Sequence, residues 1–186
     1  LRAQVAACRL AERRFTELIG GLASERSARP LAAQATRQLA AACGAPGAVL
    51  WLAGREGVLV QAAAVGVDAA TLPEGGSALA REAQERGEIL RVERAPEDVA
   101  MVIRSSVGSA EISAITAAPL RAGDRTVGVL ELGGGAIDEA DLGRSLERVA
   151  LALEAAAARD RDETLGEEVR ALNEELEAQN EELRQQ

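Results

Sequence analysis

Residues 114–135, "AITAAPLRAGDRTVGVLELGGG", decide the fold, because two apolar runs flank the turn pair Gly123 and Asp124. Such runs around a Gly-Asp pair are typical of a β-hairpin. Side chains alternate between the two faces of a strand. In the second run this predicts Val127, Val129 and Glu131 on one face, and Gly128, Leu130 and Leu132 on the other. Both faces need cover, so we expect helices on one and the irregular middle segment over a cavity on the other.

The other segments predict a mixed α/β domain. Residues 31–43 form an Ala-rich helix that ends before Gly44, and two short strands at 48–53 and 58–65 form a hairpin. A second helix begins near Ser77 and ends at Gly87, and "EILRV" (88–92) follows as a strand. We expect a short helix around residues 99–104. For Gly128 we expect a close neighbour, either a packed helix or a ligand.

The composition limits the core and the compartment. Hydrophobic residues make up 47% of the 186 residues, but aromatic residues only 1%. The core must therefore be built from Ala, Val, Leu and Ile, with close backbone approach. No run of about 18 apolar residues exists, so we expect no membrane segment. The chain begins at Leu1 with no signal-peptide pattern, and we expect a cytoplasmic fragment of a longer protein.

The charged and titratable residues exclude several kinds of chemistry. The net charge is −9, and residues 160–186 carry ten acidic residues and three arginines, which argues against nucleic acid as a partner. The chain has no lysine and no histidine. Schiff-base chemistry, histidine-based triads and imidazole metal or heme sites are therefore excluded. Cys8 and Cys43 fit no metal-ligand spacing, and we interpret them as reduced, packed thiols. We expect no catalytic residue and no metal site.

The hairpin resembles the GAF family of sensory domains. The resemblance is carried by Pro119 and Leu120 with the "VGVLEL" strand, and by the order of elements from residue 31 to about 158. It implies an α+β fold with an antiparallel sheet and flanking helices, and a family that binds diverse small molecules or none. The residues required by its bilin, heme, cyclic-nucleotide and sulfoxide-reductase members are missing, so we expect no cofactor and leave a small-molecule ligand open.

Several side chains remain as candidates for a ligand pocket. They are Trp51, Met101, Arg104, Ser105, Ser106, Thr116 and Glu131. An arginine beside two serines could bind a carboxylate or phosphate. The alternatives are ordinary ones: a solvated Arg104, a core Trp51, and a Glu131 that faces solvent or pairs with an arginine.

The two ends of the chain predict coiled coils. Residues 1–27 read as a helix with Leu1, Val5, Cys8, Phe15, Ile19 and Leu22 at heptad spacing; the alternative is an ordinary helix packed on the domain. From Asp138, which suits an N-cap, one helix can run to the end. Its stripe Leu142, Leu146, Val149 and Leu153 is expected to face the core. A second stripe is expected to form a parallel dimer seam of Leu151, Ala155, Ala158, Leu165, Val169, Leu172, Leu176 and Leu183.

These patterns predict three segments: a signalling helix (1–27), a sensory domain (30–158) and a C-terminal coiled coil (159–186). The repeated Asn-Glu-Glu-Leu also resembles the signalling helices of bacterial histidine kinases. We therefore expect a non-catalytic, homodimeric sensory module that biases a downstream kinase or other output domain of the same chain. The alternatives are a ligand-free structural coupler, a simple dimerisation stalk and a GAF-fold redox enzyme.

Overall fold

The structure, a computed structural model, describes residues 27–94, 101–105, 108–112, 114–135 and 138–185. Apart from Ser27, the predicted N-terminal helix lies outside these ranges. The elements are α1 (Ala28–Cys43), β1 (Gly47–Ala53), β2 (Leu59–Val65), α2 (Ala78–Arg86), β3 (Leu90–Val92), β4 (Met101–Ser105), β5 (Gly108–Ile112), β6 (Ile115–Ala122), β7 (Arg125–Gly133) and α3 (Glu139–Gln185), with 3₁₀ turns at Arg55–Gly57 and Ala69–Thr71.

Five strands form an antiparallel sheet in the order β2-β1-β7-β6-β3. The predicted hairpin is confirmed: β6 and β7 pair around Gly123 and Asp124, with Ala122 opposite Arg125. The predicted β1–β2 hairpin is also present. Both predicted glycine stops hold, since Gly44 and Gly87 follow α1 and α2 with φ of 63° and 65°, a conformation in which glycine carries no Cβ penalty. The fold is the mixed α/β, antiparallel-sheet architecture expected from the sequence.

Each face of the sheet is covered. On the first, which we call the helix face, Ala48, Leu50, Leu130 and Leu132 pack against α1 and α3. The predicted inward stripe of α3 is confirmed, because Leu142, Leu146, Val149 and Leu153 are at most 3% exposed in this cluster. On the second, which we call the hairpin face, Val49, Trp51 and Val129 pack with α2 and with Met101 of β4.

The predicted helix at residues 99–104 is wrong where the structure describes it. Residues 101–105 form β4, which pairs with β5 in a separate two-stranded sheet, Met101 opposite Ile112 and Val102 opposite Glu111. β-Branched side chains favour a strand once a partner strand is available. Two paired glycines, Gly47 of β1 and Gly133 of β7, let this hairpin lie close to the main sheet. A Cβ added at Gly133 would be 2.9 Å from Met101 Sδ.

Two expectations about β7 are wrong as well. The β6–β7 register shifts between Leu120 and Arg121, so Val127 is an extra residue with no partner on β6. Its side chain turns to the other face of the sheet and packs with Leu130 in the cluster of the helix face. The packed helix expected against Gly128 is not its neighbour, because the nearest atoms belong to Trp51 and Leu52 of β1. A Cβ at Gly128 would lie 2.3 Å from the carbonyl oxygen of Trp51, so the close neighbour is the backbone of β1.

The C-terminal helix α3 spans 47 residues. Asp138 caps it as predicted, since Oδ1 accepts from the N–H groups of Ala140 and Asp141 at 3.0 Å. No helix among the described residues is both long and apolar enough to cross a membrane. The division into segments at residues 27, 30 and 158 stays a prediction.

Candidate functional site

Glu131 lies at the centre of the sheet on the hairpin face. Its strand β7 runs between β1 and β6, and Glu131 is paired with Val49 on one side and Ala117 on the other. The residue is 2% exposed, although its neighbours on both strands are apolar. A buried carboxylate is costly unless it is hydrogen-bonded, so its partners define the site.

Both carboxylate oxygens of Glu131 have a side-chain donor. The indole Nε1–H of Trp51 donates to Oε2 at 2.6 Å, and Ser77 Oγ donates to Oε1 at 2.5 Å. The expected alternatives, a solvent-facing Glu131 or one paired with an arginine, are therefore both wrong. Trp51 is 2% exposed and belongs to the core, which matches one of its two expected roles.

Ser77 was predicted only as a helix start, and sequence reasoning missed its second role. Its Oγ accepts the N–H of Ala80 at 3.0 Å and so caps α2, while the same hydroxyl donates to Glu131. The preceding Gly76 has φ +82°, and a Cβ there would lie 2.8 Å from Leu59 Cδ1. Glycine therefore allows the chain to pass over Leu59 and direct Ser77 at the carboxylate. The serine–glutamate pair thus joins α2 to the sheet.

Burial raises the pKa of Glu131, and the hydrogen bonds from Ser77 and Trp51 offset part of that rise because they stabilise the ionised form. A glutamate with a raised pKa can hold a proton or accept a bond from a cationic or hydrogen-donating group. Chemically the cluster is a hydrogen-bonded bridge that joins β1, β7 and α2.

The structure brings together part of the predicted ligand set. Met101, 4% exposed, packs in the same cluster as Trp51. Thr116 is buried but lies on the helix face, because its cross-strand partner is Leu132. Arg104 and Ser105 lie on β4, with side chains outside the described part, and Ser106 is itself outside it.

Cys43 ends α1 as a buried free thiol. Burial raises its pKa to about 11, so little thiolate forms near neutral pH. Cys8 lies outside the described residues. Among the residues that are described, no group of three or more His, Cys, Asp or Glu side chains is arranged to hold a metal ion.

The predicted dimer seam lies on the side of α3 that faces away from the core. Ala155 and Ala158 are exposed. The larger seam residues are 55–59% exposed: Leu151, Leu165, Val169, Leu172 and Leu176. The side chain of Leu183 is outside the described part. Apolar side chains at heptad spacing thus remain uncovered along the helix, both beside the domain and beyond it.

Known structures share this architecture at low sequence identity. The GAF domain of an Acinetobacter phosphoenolpyruvate-protein phosphotransferase superposes with a TM-score of 0.64 at 15% identity, over 80% of this chain and 95% of that one. Free methionine-R-sulfoxide reductase from Neisseria meningitidis, in complex with its substrate, gives 0.63 at 21% identity over 81% and 92%.

A further structural match comes from a signalling protein. The GAF domain of a protein described as a sensor histidine kinase from Pseudomonas syringae pv. tomato gives a TM-score of 0.53 at 18% identity, over 91% of this chain and 97% of that one. No curated protein sequence matches the chain. The family model of the GAF domain matches residues 27–158, well over half of the sequence, and the chain therefore belongs to the GAF domain family.

Proposed function

We propose that this chain is a non-catalytic sensory and dimerisation module of a bacterial sensor histidine kinase. The observation that carries the proposal is the exposed apolar stripe of α3, which continues past the GAF domain at heptad spacing. In a parallel homodimer the two stripes would cover each other and form a coiled coil. That coil would relay the state of the domain to an output domain that follows in the chain.

The dimensions of α3 support a relay. Residues 159–185 extend beyond the family match, and at about 1.5 Å per residue they reach about 40 Å from the domain. Covering a half-exposed aliphatic side chain contributes roughly 1 kcal/mol. Five such residues on each chain give roughly 10 kcal/mol, of the same order as the cost of association. The dimer is therefore expected to be moderate in strength.

Polar residues weaken the seam at defined places. In this register Asp162 and Gln179 occupy seam positions, and Gly166 costs about 1 kcal/mol relative to alanine inside a helix. A coil close to balance can be shifted between two settings by a small bias from the domain. A uniformly apolar seam would resist such a shift, so the interruptions favour a signalling coil over a simple stalk.

The kinase assignment rests on the coil and on its repeated Asn-Glu-Glu-Leu. GAF domains occur in the kinase-derived match and also in the phosphotransferase, so the fold alone names no output domain. The proposal predicts that the coding sequence after Gln186 specifies a helical hairpin with a phosphoacceptor histidine. A receiver, phosphotransferase or nucleotide-cyclase domain at that place would contradict the kinase assignment and leave the dimer untouched.

Sedimentation velocity tests the dimer. The double variant Val169→Glu/Leu176→Glu places two charges in the seam and is expected to be monomeric. Its control, Ala171→Glu/Ala178→Glu, adds the same charge to the same helix on the side away from the seam, and is expected to remain dimeric like the wild type. A monomeric wild type, or a dimeric seam variant, would overturn the proposal.

Cross-linking tests whether the helices are parallel. In a Cys8→Ser background, Gln179→Cys places one thiol in the seam, and a parallel dimer brings the two copies together. We expect an interchain disulfide under mild oxidation. Ala178→Cys, on the outer side, is the matched control and should cross-link poorly. An antiparallel dimer would give no selective bond at Gln179→Cys.

Two alternative functions, a ligand-free coupler and a sulfoxide reductase, can be distinguished from the proposed one by simple measurements. A ligand-free coupler is favoured by the hydrogen bond between Trp51 and Glu131, since each occupies the polar group of the other. A broad metabolite screen by thermal shift then gives no hit, whereas a sensor gives at least one that is lost in Trp51→Phe.

A sulfoxide reductase is disfavoured by the buried thiol of Cys43. We expect no reduction of free methionine sulfoxide, and activity lost in Cys43→Ser would contradict this.

A further inference from the structure

Asp160 marks the place where α3 leaves the domain. Ala156, four residues earlier, is fully buried, and one helical turn places Asp160 on the same side of the helix. Asp160 is half-buried, and apart from Gly166 the described residues from 161 to 181 are exposed. Among the described residues, the influence of the domain on the exposed extension therefore passes through this turn.

The carboxylate of Asp160 accepts two hydrogen bonds from the start of α1. Ser27 Oγ donates to Oδ2 at 3.2 Å, and the Ala28 N–H donates to the same oxygen at 3.0 Å. Ser27 is the N-cap residue of α1 but makes no side-chain cap bond to that helix, whose first turn contains no acidic residue. A carboxylate at a helix N-terminus satisfies a free N–H and offsets the helix dipole. Asp160 therefore caps α1 from a different helix.

We propose that Asp160 is the positioning residue that fixes the rotation and height of the α3 extension relative to the domain. The inference rests on the relay function proposed above. It follows from the packing, because α1 inserts Leu31 and Leu39 into the core of the helix face, so its first residues move with the sheet. Through the Ala28–Asp160 bond, a displacement of α1 is carried to the coil.

The geometry makes the bond selective for one setting. A shift of α3 by one residue turns a side chain by about 100° and moves it by about 1.5 Å along the axis. Such a change lengthens a bond of 3.0 Å beyond the range of a hydrogen bond. Beyond Asp160 the described extension offers the domain no buried side chain, so this contact is the last one that ties the extension to the described part of the domain.

Distance measurements between two spin labels test the proposal. One label is attached at Gln61→Cys on the exposed side of β2, and the other at Ala171→Cys on the extension, in a Cys8→Ser background. Cys43 can stay, because burial raises its pKa to about 11 and slows its reaction with the label. Labelled chains are mixed with an excess of unlabelled chains, so that each measured distance lies within one chain.

We expect a single narrow distance peak in the parent and the loss of that peak in Asp160→Ala, measured well below the melting temperature. Asp160→Asn keeps a side-chain oxygen and should restore the narrow peak. Glu163→Ala removes an exposed acid from the next turn and should leave it unchanged. A narrow peak in Asp160→Ala would overturn the proposal, even if that variant melts earlier, because a structural cap alone affects stability and not position.

The result of the distance measurements can be separated from the result of the sedimentation test of the dimer. The same labels in the Val169→Glu/Leu176→Glu background report on the Asp160 contact in a single chain, where the loss of the peak is again expected for Asp160→Ala. If the wild type sediments as a monomer, the proposed function fails while these distances still decide the role of Asp160. If the dimer forms and Asp160→Ala leaves every distance unchanged, the positioning role alone fails.

Discussion

Replacing Ser77 by alanine should destabilise the domain more than the loss of an ordinary helix cap. The change removes the bond that the Ala80 N–H makes to the hydroxyl, which is worth about 1 kcal/mol. It also removes the 2.5 Å bond to the buried carboxylate of Glu131, and bonds to charged groups contribute about 1.5–3 kcal/mol. Together we expect a loss of about 2.5–4 kcal/mol in the free energy of unfolding wherever Glu131 is ionised.

The size of this loss should depend on pH. Burial raises the pKa of Glu131 in the folded state, so the stability gained from its proton is complete below the pKa of the unfolded chain and is lost as the pH rises through the folded pKa. Ser77 limits that loss by bonding the ionised form. Ser77→Ala should therefore raise the pKa of Glu131 further, and its deficit should grow with rising pH.

Urea unfolding at fixed protein concentration measures the effect. Trp51 is the only tryptophan of the sequence and donates to Glu131, so its fluorescence reports on this site directly. The control is Asp138→Ala. It removes the exposed cap of α3, which, unlike Ser77, makes no bond to a buried carboxylate, and it should cost about 1 kcal/mol at every pH above the acid range.

A second variant checks the assignment of the titrating group. Glu131→Gln keeps the shape and a hydrogen-bonding amide but cannot ionise, so its stability relative to the wild type should increase with pH. The reasoning is refuted if Ser77→Ala costs no more than Asp138→Ala, or if its cost is the same at all pH values and persists unchanged on top of Glu131→Gln.

The remaining predictions concern packing. Gly128→Ala should cost about 1–3 kcal/mol or more in urea unfolding, because its Cβ meets the carbonyl of Trp51 at 2.3 Å, and a neutral result would contradict that contact. Gly166→Ala, with nothing within 4 Å of its Cβ, should stabilise α3 by about 1 kcal/mol and raise its helical circular dichroism. Leu146→Ala should cost about 2–5 kcal/mol, whereas equal losses in Leu151→Ala would show that the outer stripe is part of the domain core.

Local patterns predicted much of the fold. The β6–β7 hairpin follows from two apolar runs around Gly123 and Asp124, and the helix stops follow from Gly44 and Gly87. The inward stripe of α3 was readable from its spacing alone. Residues 101–105 were predicted wrongly, because a short apolar run becomes a strand only when a partner strand lies beside it.

The candidate site was only partly predictable. Trp51 and Glu131 attract notice as a lone aromatic and a lone charge in apolar strands. Thr116 was grouped with them although it faces the opposite side of the sheet. Ser77 could be recognised as a helix cap, but nothing in its neighbourhood indicates a bond to a residue 54 positions away.

The sequence by itself determined the helices and strands outside the β4–β5 hairpin, the face that α3 turns to the core, and an apolar stripe that the domain does not cover. These depend on alternation and helical period, which act over a few residues. The tertiary structure alone decided that Ser77 and Trp51 share the carboxylate of Glu131, that Gly128 meets the backbone of β1, and that Asp160 caps a helix 132 positions away. Each of these contacts joins distant segments whose relative placement is set by the packing of whole faces, and no local pattern encodes it.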